Sequence, residues 1–230
     1  MKNKSLLFLS FILLTLGLYA QEENHIDANG NKQGIWKKYY DSGRLRYEGA
    51  FKDDKEIGIF KFYDNSDNRH PVVIRKFEQG SALVHSTFYT NKGDIVSEGY
   101  YKGKNKEGKW VYFHKGGKSL MTIEHYKDGI LDGERIVFYK NGKITIQERY
   151  VDGKLDGNSK KFTNEGVLIE DINYSKGKLH GIAKYYEITG QLYVKGVYKE
   201  NLKVGYWEIY ENGELKEKLK AEDFELPDAE

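Results

Sequence analysis

The chain has 230 residues, with 37 Lys and Arg against 35 Asp and Glu, and no Cys. Without Cys there can be no disulfide, no thiolate zinc site and no lipidated N-terminal Cys. The two signs of charge are nearly balanced and interleaved, which excludes the basic stripe that a nucleic-acid partner requires.

The chain opens with Lys2 and Lys4, an apolar run over residues 5–19, and Ala20-Gln21 as a cleavage point. This is the layout of a secretory signal peptide over residues 1–20. The run is shorter than the roughly 20 residues that span a bilayer. Export to the periplasm, the cell surface or the medium is the expectation, with an uncleaved N-terminal membrane anchor as the alternative. Cleavage would remove two Lys and no acid, leaving a neutral mature chain. Residues 21–26 read as a short leader.

From residue 27 to 220 one motif recurs about every 24 residues, with copies starting at Asp27, Phe51, Phe77, Tyr101, Tyr126, Tyr150, Tyr174 and Tyr198. Counting each start as position 0, that position is aromatic except at Asp27, and position 7 is Gly except at Val84. Position 12 is always aromatic, from Tyr39 to Tyr210, and position 16 is Gly in most copies. Pairs such as Asp128-Gly129, Asp152-Gly153 and Asn141-Gly142 are tight-turn signals, because Gly accepts positive φ and Asn or Asp tolerates it. Between the turns, apolar residues alternate with period two, as in Ile144, Ile146 and the residues leading to Tyr150. That period places them on one face of a strand. Each unit is therefore a β-hairpin. The fold class is all-β: an elongated single-domain antiparallel β-meander of about eight hairpin units.

This alignment predicts that the position-12 rings form the core, so that Phe138 and Phe162 carry more stability than Val167. Position 9 has the opposite parity. It holds Trp36, Trp110 and Trp207, which either pack against a face covered by the twist of the sheet or line an exposed aromatic strip, the best candidate for a binding surface. Two irregular places stand out: the polar turn over residues 64–71, and the third unit, which carries Val84 in place of Gly. The acidic tail over residues 221–230 is expected to be frayed or disordered.

The aromatic start, the Gly pair of Tyr126-Lys-Asp-Gly129 and Gly133, the aromatic at position 12 and the Gly at position 16 resemble MORN repeats, in the variant form found in bacteria. The resemblance covers roughly residues 27–215. The full MORN unit has a further Gly at position 9, where this chain has Trp36, Phe60, Ser86, Trp110, Arg135, Ser159, Ala183 and Trp207. Arrays of this variant are also similar to the YwqK-type antitoxin family of bacterial toxin–antitoxin systems. The resemblance implies a non-enzymatic sheet that binds proteins or membrane surfaces. The signal peptide argues against the antitoxin reading, since such an antitoxin would meet its toxin in the cytoplasm.

No catalytic, metal or cofactor site is expected. The Gly-rich turns at 153–157 and 177–181 lack the strand-then-helix setting of a phosphate loop. The six His residues are scattered, with no two three or four apart. Glu134, Glu148, Asp152, Asp156, Glu165, Glu170 and Asp171 crowd two units, but a paired-carboxylate hydrolase needs a cleft that a single sheet does not offer. There is no Gly-x-Ser-x-Gly elbow. The expected function is that of an exported protein-binding or envelope-scaffold module. A toxin-neutralising antitoxin or immunity protein is the alternative. A protein partner is expected, with a membrane surface as the weaker option.

Overall fold

The computed structural model describes residues 23–66 and 70–226. The signal-peptide assignment, the first residues of the leader, the centre of the 64–71 turn and the last four residues lie outside them. Among the described residues every regular element is a strand. The first half comprises β1 (His25–Ile26), β2 (Lys32–Tyr39), β3 (Leu45–Lys52), β4 (Lys55–Phe62), β5 (Val73–Phe77), β6 (Leu83–Tyr89), β7 (Ile95–Lys102), β8 (Asn105–Phe113) and β9 (Leu120–Lys127). It continues through β10 (Ile130–Leu131), β11 (Gly133–Phe138), β12 (Ile144–Val151), β13 (Lys154–Leu155), β14 (Gly157–Phe162) and β15 (Leu168–Ser175). The last are β16 (Lys178–Tyr186), β17 (Leu192–Lys199), β18 (Leu202–Glu211) and β19 (Glu214–Lys220).

β10 and β11 both pair with β9, and β13 and β14 both pair with β12; otherwise each strand pairs antiparallel with its neighbours in sequence, from β1–β2 to β18–β19, so the sheet is one open meander as expected. Two kinds of turn alternate. In five of the eight units the residues at positions 2 and 3 both take positive φ, as at Asp128 (50°) and Gly129 (87°) or Asp152 (47°) and Gly153 (76°). This is the type I′ geometry whose twist matches the strands. At position 16 a single Gly ends a longer loop. In the fifth unit Gly142 N–H donates to Tyr139 O at 2.9 Å, and Tyr139 N–H donates to Lys143 O at 2.8 Å. The ladder slips by one residue beside that loop, between Val137 and Phe138. The position-7 Gly marks a second irregularity. Val84, which replaces it, lies in a hairpin whose register runs unbroken from Val73↔Phe88 to Phe77↔Val84.

Units are tied to one another through their turns. Gly129, Gly153 and Gly177 donate backbone N–H to Lys106, Leu131 and Leu155 O of the preceding unit, at 2.9, 2.8 and 2.7 Å. Asp156 Oδ2 accepts from Lys176 N at 3.0 Å. At the opposite rim Tyr40 Oη donates to Tyr63 O at 2.8 Å and Tyr139 Oη to Phe162 O at 2.9 Å. His114 takes the same place, with Nε2 3.0 Å from Phe138 O. The recurring Gly, Asp and Tyr thus serve the stacking of hairpins, none of which would be stable alone.

The buried face differs from the expected one. Phe60, Trp110 and Trp207, all at position 9, are among the most buried side chains, and Trp207 is 0% exposed. They share an inner face with the position-0 rings Phe51 and Tyr198 and with Val194. The position-12 aromatics lie on the outer face, where Tyr39 is 51% exposed and Phe138 and Phe162 are only half-buried. Period two required the two positions to point opposite ways. The pattern alone could not say which way was in, because both rows carry aromatics.

Both ends of the array also depart from expectation. The leader is part of the sheet: His25 and Ile26 pair with Gln33 and Lys32. Asp27, the one non-aromatic start, caps the first turn by accepting N–H from Asn29 (2.8 Å) and Asn31 (3.0 Å). The tail is not frayed over residues 221–226. Ala221 N–H donates to Gly205 O at 2.9 Å, and Phe224 stacks on Trp207 with ring centroids 4.6 Å apart and planes inclined by 16°. Lys203 Nζ donates to Phe224 O at 2.9 Å.

Candidate functional site

Position 9 forms one row across the inner face, alternating with position 22 or its equivalent on the next strand. The register reads Trp36↔Gly49, Phe60↔Arg75, Ser86↔Gly99, Trp110↔Glu124, Arg135↔Glu148, Ser159↔Ile172 and Ala183↔Gly196. Large and small residues compensate. Where a ring needs room the preceding strand supplies Gly: a Cβ on Gly49, Gly99 or Gly196 would lie 2.4, 2.5 or 2.1 Å from Phe60, Trp110 or Trp207. The variability of position 9 is therefore a packing code. Of the two readings of the Trp residues, packing holds and the exposed strip does not form. Trp110 and Trp207 are buried, and Trp36 is half-buried against Phe51 at 5.8 Å, with its Nε1 donating to Gln33 O at 3.1 Å.

In the middle of this row charge replaces rings. Arg135 donates from Nη1 to Glu148 Oε2 at 2.9 Å and approaches Glu124 Oε1 with Nε at 3.4 Å. Tyr126 Oη donates to Glu124 at 2.7 Å and Tyr150 Oη to Glu148 at 3.2 Å. Lys106 Nζ donates to Tyr112 Oη at 2.5 Å and sits 4.7 Å from the Trp110 ring centroid. Burial lowers the Lys106 ammonium, and Glu124 only partly offsets it. Burial, joined by the bond to Glu124, raises the Tyr126 phenol. Burial opposes the Arg135 charge too, but Glu148 and Glu124 outweigh it. The two carboxylates thus share one guanidinium and each accept a hydrogen bond from a phenol. This arrangement holds the centre of the inner face and presents no unpaired acid to a substrate.

Four of the other acids noted in the sequence are also engaged. Glu170 pairs with Lys161 at 3.0 Å, Glu134 accepts from Gln147 at 2.7 Å, Asp171 accepts from Asn158, and Asp156 caps a turn. Among the described residues no three of His, Asp and Glu are grouped to hold a metal ion.

The outer face carries a different pattern, written at position 8. That position reads Ile35, Ile59, His85, Lys109, Glu134, Asn158, Ile182 and Tyr206. It is apolar in the two units at each end and polar between them. In the middle, Glu134 faces Arg149 across the ladder, and with Gln147, Asn158 and Lys160 they border a recess of about 460 Å³. At the N-terminal end Ile35 faces Ala50, Ala50 faces Ile57, and Ile35, Ile57 and Ile59 are exposed.

The C-terminal end has the longer strip. Ile182 on β16 faces Val197 on β17, and Val197 faces Val204 on β18. Leu202 and Tyr206 flank Val204 at two-residue spacing, on the same face. Ile182 is 47% exposed, Val197 39%, Leu202 69% and Tyr206 56%. Directly facing side chains lie about 5 Å apart, so these residues form one continuous apolar strip in solvent. Sequence reasoning missed them because it followed the aromatics. The available signal was the contrast within position 8.

Residues 32–53 and 131–152 each match the family described as MORN repeat variant. Both segments begin at position 5 of a unit and end at position 2 of the next, so the match has the same phase as the structural repeat. No curated protein matches the chain.

Proposed function

We propose that this chain is an exported, non-enzymatic repeat protein that binds a protein partner through the outer face of its last two units. The observation that carries the reading is the exposed strip of Ile182, Val197, Leu202 and Tyr206. Scattered apolar side chains on a surface need no explanation, but a continuous row on adjacent strands is the usual mark of a contact surface. The repeat architecture supports it, since stacked hairpins offer a long surface whose scaffold positions stay fixed while position 8 varies. The matches to the MORN repeat variant point the same way, as such repeats are associated with binding proteins or membranes. Export rests on the layout of residues 1–20.

The test compares mature wild-type protein with the Ile182→Lys/Val197→Lys double variant as bait in extracts of the source cells. Both substitutions are at exposed sites, so the melting temperature should change little. Capture should fall sharply. Equal capture by the two baits overturns the strip as the interface. A captured toxin would replace the scaffold reading with the antitoxin alternative.

A further inference from the structure

Two arginines stand on the inner row, and their surroundings differ in one respect. Arg135 is flanked on the row by Glu124 and Glu148 and bonds both. Arg75 is flanked by Phe60 on β4 and Ser86 on β6. Its guanidinium carbon lies 5.6 Å from the Phe62 ring centroid and 5.8 Å from that of Tyr101, two strands away. The side chain reaches that far because Ser86 and Gly99, the next two residues of the row, are small. Arg75 Nε is buried without a hydrogen-bond acceptor, and so is Ser86 Oγ. Among the described residues the terminal nitrogens have no acceptor either, and unlike Nε they are not fully buried.

A guanidinium withdrawn from water without a counter-ion is costly. Ring contacts offset part of that cost. They also fix the plane of the group and leave its Nη edge open, so the site lacks one negative charge of suitable shape. We propose that Arg75 is the anchor of a carboxylate-binding subsite on the inner face, taking an acidic side chain or a C-terminal carboxylate of a bound peptide. The planar fork matches a carboxylate in two parallel hydrogen bonds, which a spherical or tetrahedral anion matches less well. The subsite is on the opposite face from the strip of Ile182 and Val197 and stands or falls independently of it.

The experiment is an NMR titration of the mature chain with four probes. Two carry a carboxylate: N-acetyl-glutamate N-methylamide for the side-chain source and N-acetyl-glycylglycine for the C-terminal source. N-acetyl-glutamine N-methylamide is the neutral control, and inorganic phosphate is the competing anion. At least one carboxylate probe should shift the Arg75, Tyr101 and Phe62 resonances saturably, and the neutral probe should not. Whichever carboxylate binds more tightly identifies the source. Arg75→Met, which keeps the packing against the rings, should abolish the shifts while the protein stays folded. Arg75→Lys, which keeps the charge and loses the fork, should weaken binding by about tenfold. Phosphate binding as tightly as carboxylate, undiminished binding by Arg75→Met, or no saturable shift with either carboxylate each overturns the proposal.

Discussion

Trp207 lies flat on the backbone of Gly196, on the neighbouring strand, so closely that a Cβ on Gly196 would sit 2.1 Å from the indole. Gly196 does not have a positive φ. Strand propensity alone therefore favours Ala over Gly there by roughly 0.5–1 kcal/mol. The clash runs against this, and overpacking a filled core costs about 1–3 kcal/mol. Gly196→Ala should be net destabilising in urea unfolding. In a Trp207→Leu background the same change should be neutral or stabilising. A stabilised single variant would show that the ring does not rest on the glycine.

Truncations should rank by face. Trp110→Ala removes a ring packed against Tyr101 at 5.0 Å and Phe88 at 6.1 Å, with an indole N–H bonded to Tyr100 O. Its cost should approach the 3–5 kcal/mol of a buried aromatic. Phe138→Ala removes a half-buried outer-face ring and should cost clearly less. Equal losses in denaturant titrations would mean that both faces are equally packed.

Phe224 acts as the end cap of the array. It follows Trp207 by the same 17 residues that separate Phe60 from Phe77, so it fills the place of a ninth unit's first aromatic. A stacked array needs a special cover for its last repeat. Phe224→Ala should speed amide exchange in β17 to β19 and leave β2 to β8 unchanged. Exchange rising uniformly along the chain would indicate a single cooperative unit instead.

Removing Arg135 should be harmful because it strands two partly buried carboxylates. Breaking a buried pair costs about 3–5 kcal/mol, and the partial exposure here argues for about 2–4. Arg135→Ala combined with Glu124→Gln and Glu148→Gln should recover much of that loss in chemical denaturation. No recovery would mean that Arg135 stabilises by packing rather than by charge.

At high pH, Tyr63 should become a liability. Burial, together with the hydrogen bond from its Oη to Glu48 Oε1 at 2.9 Å, pushes its phenol up to about 12. An unfolded Tyr ionises near 10. The raised value gives stability that is complete below the unfolded pKa and is lost as pH rises through the folded one. Thermal unfolding from pH 9 to 12 should show Tyr63→Phe losing less stability than wild type. Parallel curves would remove Tyr63 from the cause.

The sequence by itself determined the period, the turns and the antiparallel meander. These depend on local properties: Asp128-Gly129 accepts positive φ wherever it sits, and period two needs only alternation along one strand. Which face turns inward was decided between strands. Position 12 is aromatic in every unit and position 9 in four of the eight, and only the backbone of Gly49, Gly99 and Gly196 on the neighbouring strands makes room for the position-9 rings. Strand register sets that pairing, and a run read alone does not contain it. The same holds for the functional surfaces. Arg135 and Arg75 look alike in the chain, and what separates them is that one has carboxylates on the adjoining strands and the other has Phe60 and Ser86.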